Sequence, residues 1–349
     1  QNSFLIEAEW YRSFGGGDWE ITAKPFYRQD FQDADRTHFD LRELHLRTWR
    51  DWGSLTLGLQ KIFWGVTESQ HLVDIINQTD LVESPDGEDK LGQPMVQLTL
   101  TPTWGTLDFF VLPYFRERTF PGAEGRLRTP LQVSEDSIFE NDREDEHTDF
   151  AFRYSHYFGA FDVGLSYFHG TSREPFLIAA IDTDSGSIEL VPYHPIIDQF
   201  GLDLQYTAGG WLWKLEAIAR DTKQDTYTAI TGGFEYTFVG IADSAWDLGT
   251  LLELHFDSEG NSSNNPFNND VFVGFRFAAN DSVDTNLLVG MVYDIRRYTQ
   301  FYRAEFSRRL GQNFTIEAEF QGTANVHSDD PFKAFEQDNF LSLTITRFF

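Results

Sequence analysis

Phe340-Leu-Ser-Leu-Thr-Ile-Thr-Arg-Phe-Phe349 closes the chain. Side chains alternate along a strand, so Leu341, Leu343, Ile345 and Phe349 share one face, and Ser342, Thr344 and Thr346 share the other. A strand with one greasy face and one small polar face can stand between lipid and water. Arg347 belongs to the greasy set but sits two residues from the end, where a long cationic side chain reaches an interface.

The same period of two runs back through the chain. Phe314, Ile316, Ala318 and Phe320 alternate with Thr315, Glu317, Glu319 and Gln321. Leu248, Leu252, Leu254 and Phe256 oppose Gly249, Glu253, His255 and Asp257. Trp211, Trp213, Leu215, Ala217 and Ala219 oppose Lys214, Glu216 and Arg220. Such alternation predicts strands at 2–13, 18–31, 37–50, 53–65, 94–103, 106–118, 148–158, 161–173, 198–208, 211–221, 226–239, 247–257, 268–278, 285–298, 301–310, 313–325 and 339–349. His71–Val82 is the one stretch that would suit a short helix.

Connections alternate between two kinds. Trp104-Gly105, Phe158-Gly-Ala160, Ala208-Gly-Gly210 and Leu310-Gly-Gln-Asn313 are short; 66–93, 119–147, 174–197, 258–267 and 326–338 are long and acidic or proline-containing. This is the pattern of an all-β, transmembrane, antiparallel up-and-down β-barrel, with short turns at one rim and long loops at the other. The whole chain, 1–349, reads as one such domain. About 20 residues per strand and connection suits 16 or 18 strands, and bacterial single-chain barrels prefer even numbers. The seventeen segments above break that parity, most suspiciously near Phe14-Gly-Gly-Gly-Asp18 and Gln32–Thr37.

Composition narrows the function. A formal net charge of −28 argues against nucleic acid, which needs clustered Lys and Arg. With no cysteine, disulfides, thiol chemistry, Cys-ligated zinc and c-type haem attachment are excluded. No metal or other cofactor is expected. No run of about 18 apolar residues provides a transmembrane helix. Gln1 suits a mature N-terminus left by a cleaved leader. None of the nine histidines sits beside a nucleophile motif such as G-x-S-x-G, so no catalytic residue is expected and the chain does not read as an enzyme. Asp182-Thr-Asp-Ser-Gly-Ser-Ile-Glu189 carries carboxylates two apart before a glycine, a fragment of a calcium loop, and reads better as a hairpin turn.

Loop 66–93 is the most distinctive connection. Leu72, Val73, Ile75, Ile76, Leu81 and Val82 are too apolar to wave in water. The segment either folds into the barrel and narrows it, or caps the rim or packs between protomers. In the first case Glu68, Asp74, Asp80 and Glu83 would line one side of a constriction, with Arg47 and Arg153 as the opposing cations. Charged residues on predicted inner faces are plentiful; in a hydrated lumen they cost little, whereas Arg or Lys facing mid-membrane lipid costs about 2–4 kcal/mol.

A terminal amphipathic strand ending on Phe349, with Ile345 and Leu343 on its lipid side, resembles the assembly signal of Gram-negative outer-membrane barrels. The alternating strands and loop lengths resemble porin-type barrels over nearly the whole chain. Phe39-Asp-Leu-Arg-Glu-Leu-His-Leu, Leu57-Gly-Leu-Gln-Lys-Ile-Phe-Trp-Gly65 and Asp74-Ile-Ile-Asn77 resemble poorly characterised porin-like families. The resemblance implies the bacterial outer membrane, contact with lipid and lipopolysaccharide, handling by the barrel assembly machinery, and a homotrimer as one oligomeric form. It also implies passive diffusion of small hydrophilic solutes, with a cation lean from the acidic mouth. Acidic outer stretches such as Glu135–Asp149 suit divalent cations at the lipopolysaccharide surface. Two other functions stay open: a substrate-specific transporter for a hydrophobic or acidic nutrient gated by 66–93, and a scaffold or sheath for partner proteins.

Overall fold

The computed structural model describes residues 2–84, 87–182, 186–223, 225–260 and 265–349. Gln1, the centre of the 182–189 turn and parts of loops 66–93 and 258–267 lie outside the described residues.

Alternation dictates a single large antiparallel sheet. In chain order its strands are β1 (Ser3–Glu7), β2 (Trp10–Phe14), β3 (Trp19–Asp30), β4 (His38–Arg50), β5 (Gly53–Gln60), β6 (Gln93–Leu100) and β7 (Thr106–Leu112). A short strand, β8 (Ile138–Phe139), stands outside it. The wall resumes with β9 (Asp149–Phe158) and β10 (Phe161–Thr171), and β11 (Phe176–Ile181) and β12 (Ile188–His194) again lie outside. It is completed by β13 (Ile196–Ala208), β14 (Trp211–Asp221), β15 (Thr226–Phe238), β16 (Asp247–Asp257), β17 (Asn269–Ala278), β18 (Asn286–Asp294), β19 (Gln300–Leu310), β20 (Phe314–Ala324) and β21 (Phe340–Arg347). From β3 onward each wall strand pairs antiparallel with the next, the up-and-down order expected.

The sheet contains 18 strands, but β1 and β2 are two halves of one row. Both pair with β3, at Phe26–Asp30 and Trp19–Ala23 respectively. The break falls opposite Pro25, which has no N–H to give the ladder, and β3 shifts register against β4 between Lys24 and Pro25. The seventeen rows correspond to the seventeen predicted segments. Three predictions overshoot by four residues or more: β5 stops at Gln60, β7 at Leu112 and β18 at Asp294. Among the described residues β21 pairs with β20 alone, and no pairing joins it to β1 or β2.

The two faces of the sheet are chemically opposite. Leu44, Leu57, Leu165, Phe200, Leu254 and Phe275 stand exposed on one side. Lys214, Glu216, Glu253, His255 and Asp270 are buried on the other. A soluble sheet hides its apolar side; this one hides its polar side. At the short-turn rim, Trp211 stacks on Trp213 with centroids 5.6 Å apart and an interplanar angle of 15°, and meets Tyr236 at 4.7 Å. Exposed Trp104 and Trp246 extend the same aromatic girdle.

The sheet also curls. Ser69 hydrogen-bonds Glu253 on β16, yet β5, which feeds the loop, lies eight strand spacings away. Laid flat, that is roughly 38 Å at ~4.8 Å per spacing, more than the ~30 Å that nine extended residues can span. The concave side is the polar one.

Two long connections carry a second sheet of three strands. β11 and β12 form an antiparallel hairpin, the turn expected at 182–189, and β12 runs parallel to β8 at Tyr193 and His194. His194 is the pin. It stacks on Phe139 at 5.3 Å, meets Phe115 edge-on at 4.9 Å and places Nδ1 3.0 Å from the Ser172 carbonyl oxygen. Burial, aided by Arg118 and Arg173, pushes its pKa down to about 4. The unfolded imidazole takes its proton near pH 6.5, whereas the folded one does so only near 4. The contribution to stability is therefore intact above about pH 6.5 and is lost progressively as pH falls to about 4, by up to the order of 3 kcal/mol. Amide exchange in 188–194 should accelerate over that window, and His194→Phe should flatten the dependence; an unchanged pH profile in the variant would contradict this.

Candidate functional site: a loop fastened across the lumen

The sequence Phe63-Trp64-Gly65-Val66-Thr67 turns the chain inward. Asn77 ties the two stems of the loop together, accepting from Ile62 N (2.8 Å) and donating to the carbonyls of Gln60 and Leu91 (both 2.8 Å). The predicted helix at 71–82 is absent: with Asn77 held by both stems, the stretch is a series of turns, bends and isolated bridges. Gly65 adopts φ +151° against His71 and Glu216, where a Cβ would lie 2.9 Å from the imidazole Nδ1.

The loop then meets two carboxylates on the far wall. Glu216 of β14, 0% exposed, accepts from Val66 N (2.7 Å), Thr67 N (3.0 Å), Thr67 Oγ1 (2.7 Å) and Val73 N (3.2 Å). Glu253 of β16 accepts from Glu68 N (2.7 Å), Ser69 N (2.9 Å) and Ser69 Oγ (2.6 Å). Hydrogen bonds to charged groups are each worth about 1.5–3 kcal/mol net. The seven together hold a loop that leaves β5 against the opposite side of the lumen. Behind them, Leu72, Val73, Ile75, Ile76 and Trp64 pack on Met95, Phe110, Phe168, Ile197 and Ile218. The concave face of β6 to β15 is thus covered by a dry core.

Each candidate residue has a definite place. The Glu68 carboxylate pairs with Arg276 of β17 and, at 3.5 Å, with Lys214 of β14. Asp74 accepts from Trp64 N (3.2 Å) and meets Lys90 at 3.1 Å. Asp80 is held by Arg42 Nη1 and Thr119 Oγ1, both at 2.6 Å. Glu83 accepts from Arg28 Nε at 2.8 Å. Arg153 lies over the Trp64 ring at 5.3 Å and pairs with Asp203 at 2.7 Å, so it touches the loop root. Arg47 is elsewhere, donating to Thr56 Oγ1 (3.0 Å) with Glu20 at 3.8 Å. Leu343 and Ile345 face outward on β21 and are exposed, and the Arg347 guanidinium lies 4.6 Å over the Phe349 ring. Sequence reasoning missed Glu216 and Glu253 as anchors, and Arg28, Arg42 and Arg173 as clamps; Arg173 Nε donates to the Ile76 carbonyl at 3.2 Å. The only local hint was that Glu216 and Glu253 lie on inner faces.

His71 sits between Glu216 (3.9 Å) and Glu88 (3.3 Å), with Phe63 edge-on at 4.7 Å. Burial opposes its charge, but the two carboxylates outweigh burial and push the pKa up to about 10. The imidazolium is a third clamp between loop and wall.

Across the loop from the dry core lies a cavity of about 490 Å³. Phe267, Phe301 and Phe332 form its aromatic side, Phe301 and Phe332 stacked at 5.3 Å and 19°. The Phe272 ring packs against Gly290 of β18, where a Cβ would come within 2.3 Å of it. Glu68, His71, Arg303 and Glu305 form the polar side. Ser69 also borders the cavity, with Oγ 3.0 Å from His255 Nε2. The pair does not make a nucleophile: His255 Nδ1 meets the Thr231 hydroxyl (3.0 Å) instead of a carboxylate, and the Ser69 hydroxyl already donates to Glu253.

Two outcomes are expected. Glu216→Ala leaves four loop donors without their acceptor, about 1–3 kcal/mol each. Tryptic cleavage after Lys90 in the folded protein should then accelerate at least about tenfold, and an unchanged rate would show the anchor to be dispensable. The His71 clamp has its folded pKa above the unfolded value, so its contribution is complete below about pH 6.5 and is lost as pH rises through about 10. The same cleavage assay, buffered from pH 7 to 10.5, should show loosening at the alkaline end that His71→Leu removes.

No family model and no curated protein matches the sequence. Solved structures do. Wzi of Escherichia coli, described as an outer-membrane protein involved in group 1 capsule assembly and a carbohydrate-binding β-barrel, superposes with a TM-score of 0.60 at 10% identity, covering 99% of this chain and 78% of that one. OmpT of Vibrio cholerae (TM-score 0.45, 10% identity, 99% and 89% coverage) and the channel DcaP of Acinetobacter baumannii (0.44, 9%, 99% and 84%) are more distant. The chain has the porin-like fold of outer-membrane β-barrels.

Proposed function

We propose that the protein is an outer-membrane channel in which loop 66–93 constricts the lumen. The reading rests on one observation: the loop is fastened to the far wall by Glu216 and Glu253. A rim cap would have no such bonds. An apolar outer face and an aromatic girdle support the bilayer as its solvent, with lipid and lipopolysaccharide at its surface and the whole chain forming one barrel. Small hydrophilic solutes would pass beside the loop, and Glu68, the one candidate carboxylate bordering the cavity, would favour cations. Asp74, Asp80 and Glu83 would act as the loop's fastenings, Arg153 as the cation at its root, and Phe349 with Ile345 and Leu343 as the signal for the assembly machinery. A homotrimer is compatible with this reading.

A second reading is favoured by the cavity: apolar inner surface on β16 to β19 is needless for ion flow and suits a bound ligand, as in the carbohydrate-binding neighbour. Planar-bilayer recording separates the two. The channel reading expects ohmic conductance, a reversal potential on the cation-selective side in a salt gradient, and higher conductance when 68–90 is deleted. Silence in both proteins would leave ligand binding without conduction.

A further inference from the structure

Opposite the dry core, the concave face carries a second, smaller apolar cluster. Leu251, Phe272 and Val292 cluster with Phe267, Leu288 and Phe301 on the inner face of β16 to β19 and the segment before β17. All of these but Leu251 also line the cavity, which gives it an apolar, aromatic wall. The facing side is charged. Counting the groups at the cavity and those directly paired with them, Glu68, Glu88, Glu216, Glu305 and Asp338 bring five carboxylates. His71, Lys214, Arg276 and Arg303 bring four cations. Negative charge is in excess beside a cluster of phenyl rings.

We propose that this cavity is a site for an organic cation that carries an aromatic or aliphatic body: a substituted ammonium or an aromatic amine. The inference rests on the reading that the cavity lies on the solute path, and it specifies the class of solute. Aromatic faces attract cations through the ring quadrupole, and the attraction grows when water is excluded. Phe301 and Phe332 present stacked rings at one wall, and Glu305 stands four residues along β19 from Phe301, on the same inner face, with Arg303 between them and paired to Glu305. A volume of about 490 Å³ falls within the ordinary range of small-molecule sites, about 300–1,000 Å³. A neutral sugar would use the rings but not the charge excess; an organic anion would be repelled by it.

Calorimetric titration of the full-length protein in detergent tests the class without requiring conductance. The probes are benzyltrimethylammonium, its uncharged carbon isostere neopentylbenzene, phenylacetate and glucose. The cation should bind at least about tenfold more tightly than each of the others. Phe301→Leu, which keeps volume and removes the ring, should weaken the cation five- to tenfold and leave the isostere unchanged. Phe332→Leu, on the loop side, should do the same and guards against a folding defect in the wall strand. Glu305→Gln should weaken the cation alone. Equal affinity for cation and isostere, preference for glucose or phenylacetate, or indifference to both Phe replacements in protein that retains its heat-modifiable barrel mobility would overturn the proposal. Cation binding by a protein silent in bilayers would uphold the ligand class and refute the channel.

Discussion

Two buried carboxylates on the wall organise the interior. A charged carboxylate inside a protein is tolerated only where hydrogen bonds replace its water, and Glu216 and Glu253 obtain theirs from backbone N–H and hydroxyl groups of one loop. The dependence is mutual. The loop's N–H groups, in a stretch without helix or ladder, would otherwise be buried unpaired. Each side of the lumen thus supplies what the other lacks, and the loop's apolar side chains follow into the space that the bonds define. Gly65 permits the approach, since a side chain there would meet the imidazole and the carboxylate that the loop must reach.

The wall was legible because its signal is local and repeats. Each strand must alternate, whatever its neighbours, so period two in Trp211–Arg220 or Phe314–Gln321 places every side chain on its face without knowledge of pairing. The inward fold was legible for a related reason: Leu72, Val73, Ile75 and Ile76 have no place in water. The fastenings were not. Glu216 lies about 150 positions from the Thr67 it binds, and no sequence period connects them. Asp74, Asp80 and Glu83 look alike as acids in a loop, yet each has a different cation, chosen by how far the loop reaches before each residue. Arg47 shares an inner face with Arg42 but lies five residues nearer the short-turn rim, where its partners are Thr56 and Glu20 of the wall. The outer sheet of β8, β11 and β12 was hidden because it joins two connections that are remote in sequence.

Pro25 shapes the edge of the wall in the same long-range way. By removing one ladder donor it divides the first row into β1 and β2, and the row still runs from the long-loop rim to the short-turn rim, as β21 does. Two edges with the same direction can meet only as a parallel pair, a pairing the rest of the wall does not use. In hydrocarbon an unpaired edge is far costlier than in water, because each bare N–H or C=O loses its only partner. The odd number of rows is therefore an energetic constraint on how the wall can close, and it follows from strand direction alone.

The uneven filling of the lumen has a consequence of its own. The inner face of β6 to β15 carries apolar residues because the loop covers them; the inner face of β16 to β19 carries apolar residues although the loop stops at Ser69 and turns back. They pack on one another and border the cavity, whereas the next inner face is polar, with Glu317 and Glu319 on β20. Phe272 makes the point sharply. Gly274 and Gly290 leave room for its ring, since a Cβ at either would come within 2.7 and 2.3 Å of it, respectively, and the ring lines the cavity. A side chain at either glycine would displace that ring and change the cavity's aromatic lining, so the two glycines fix its shape.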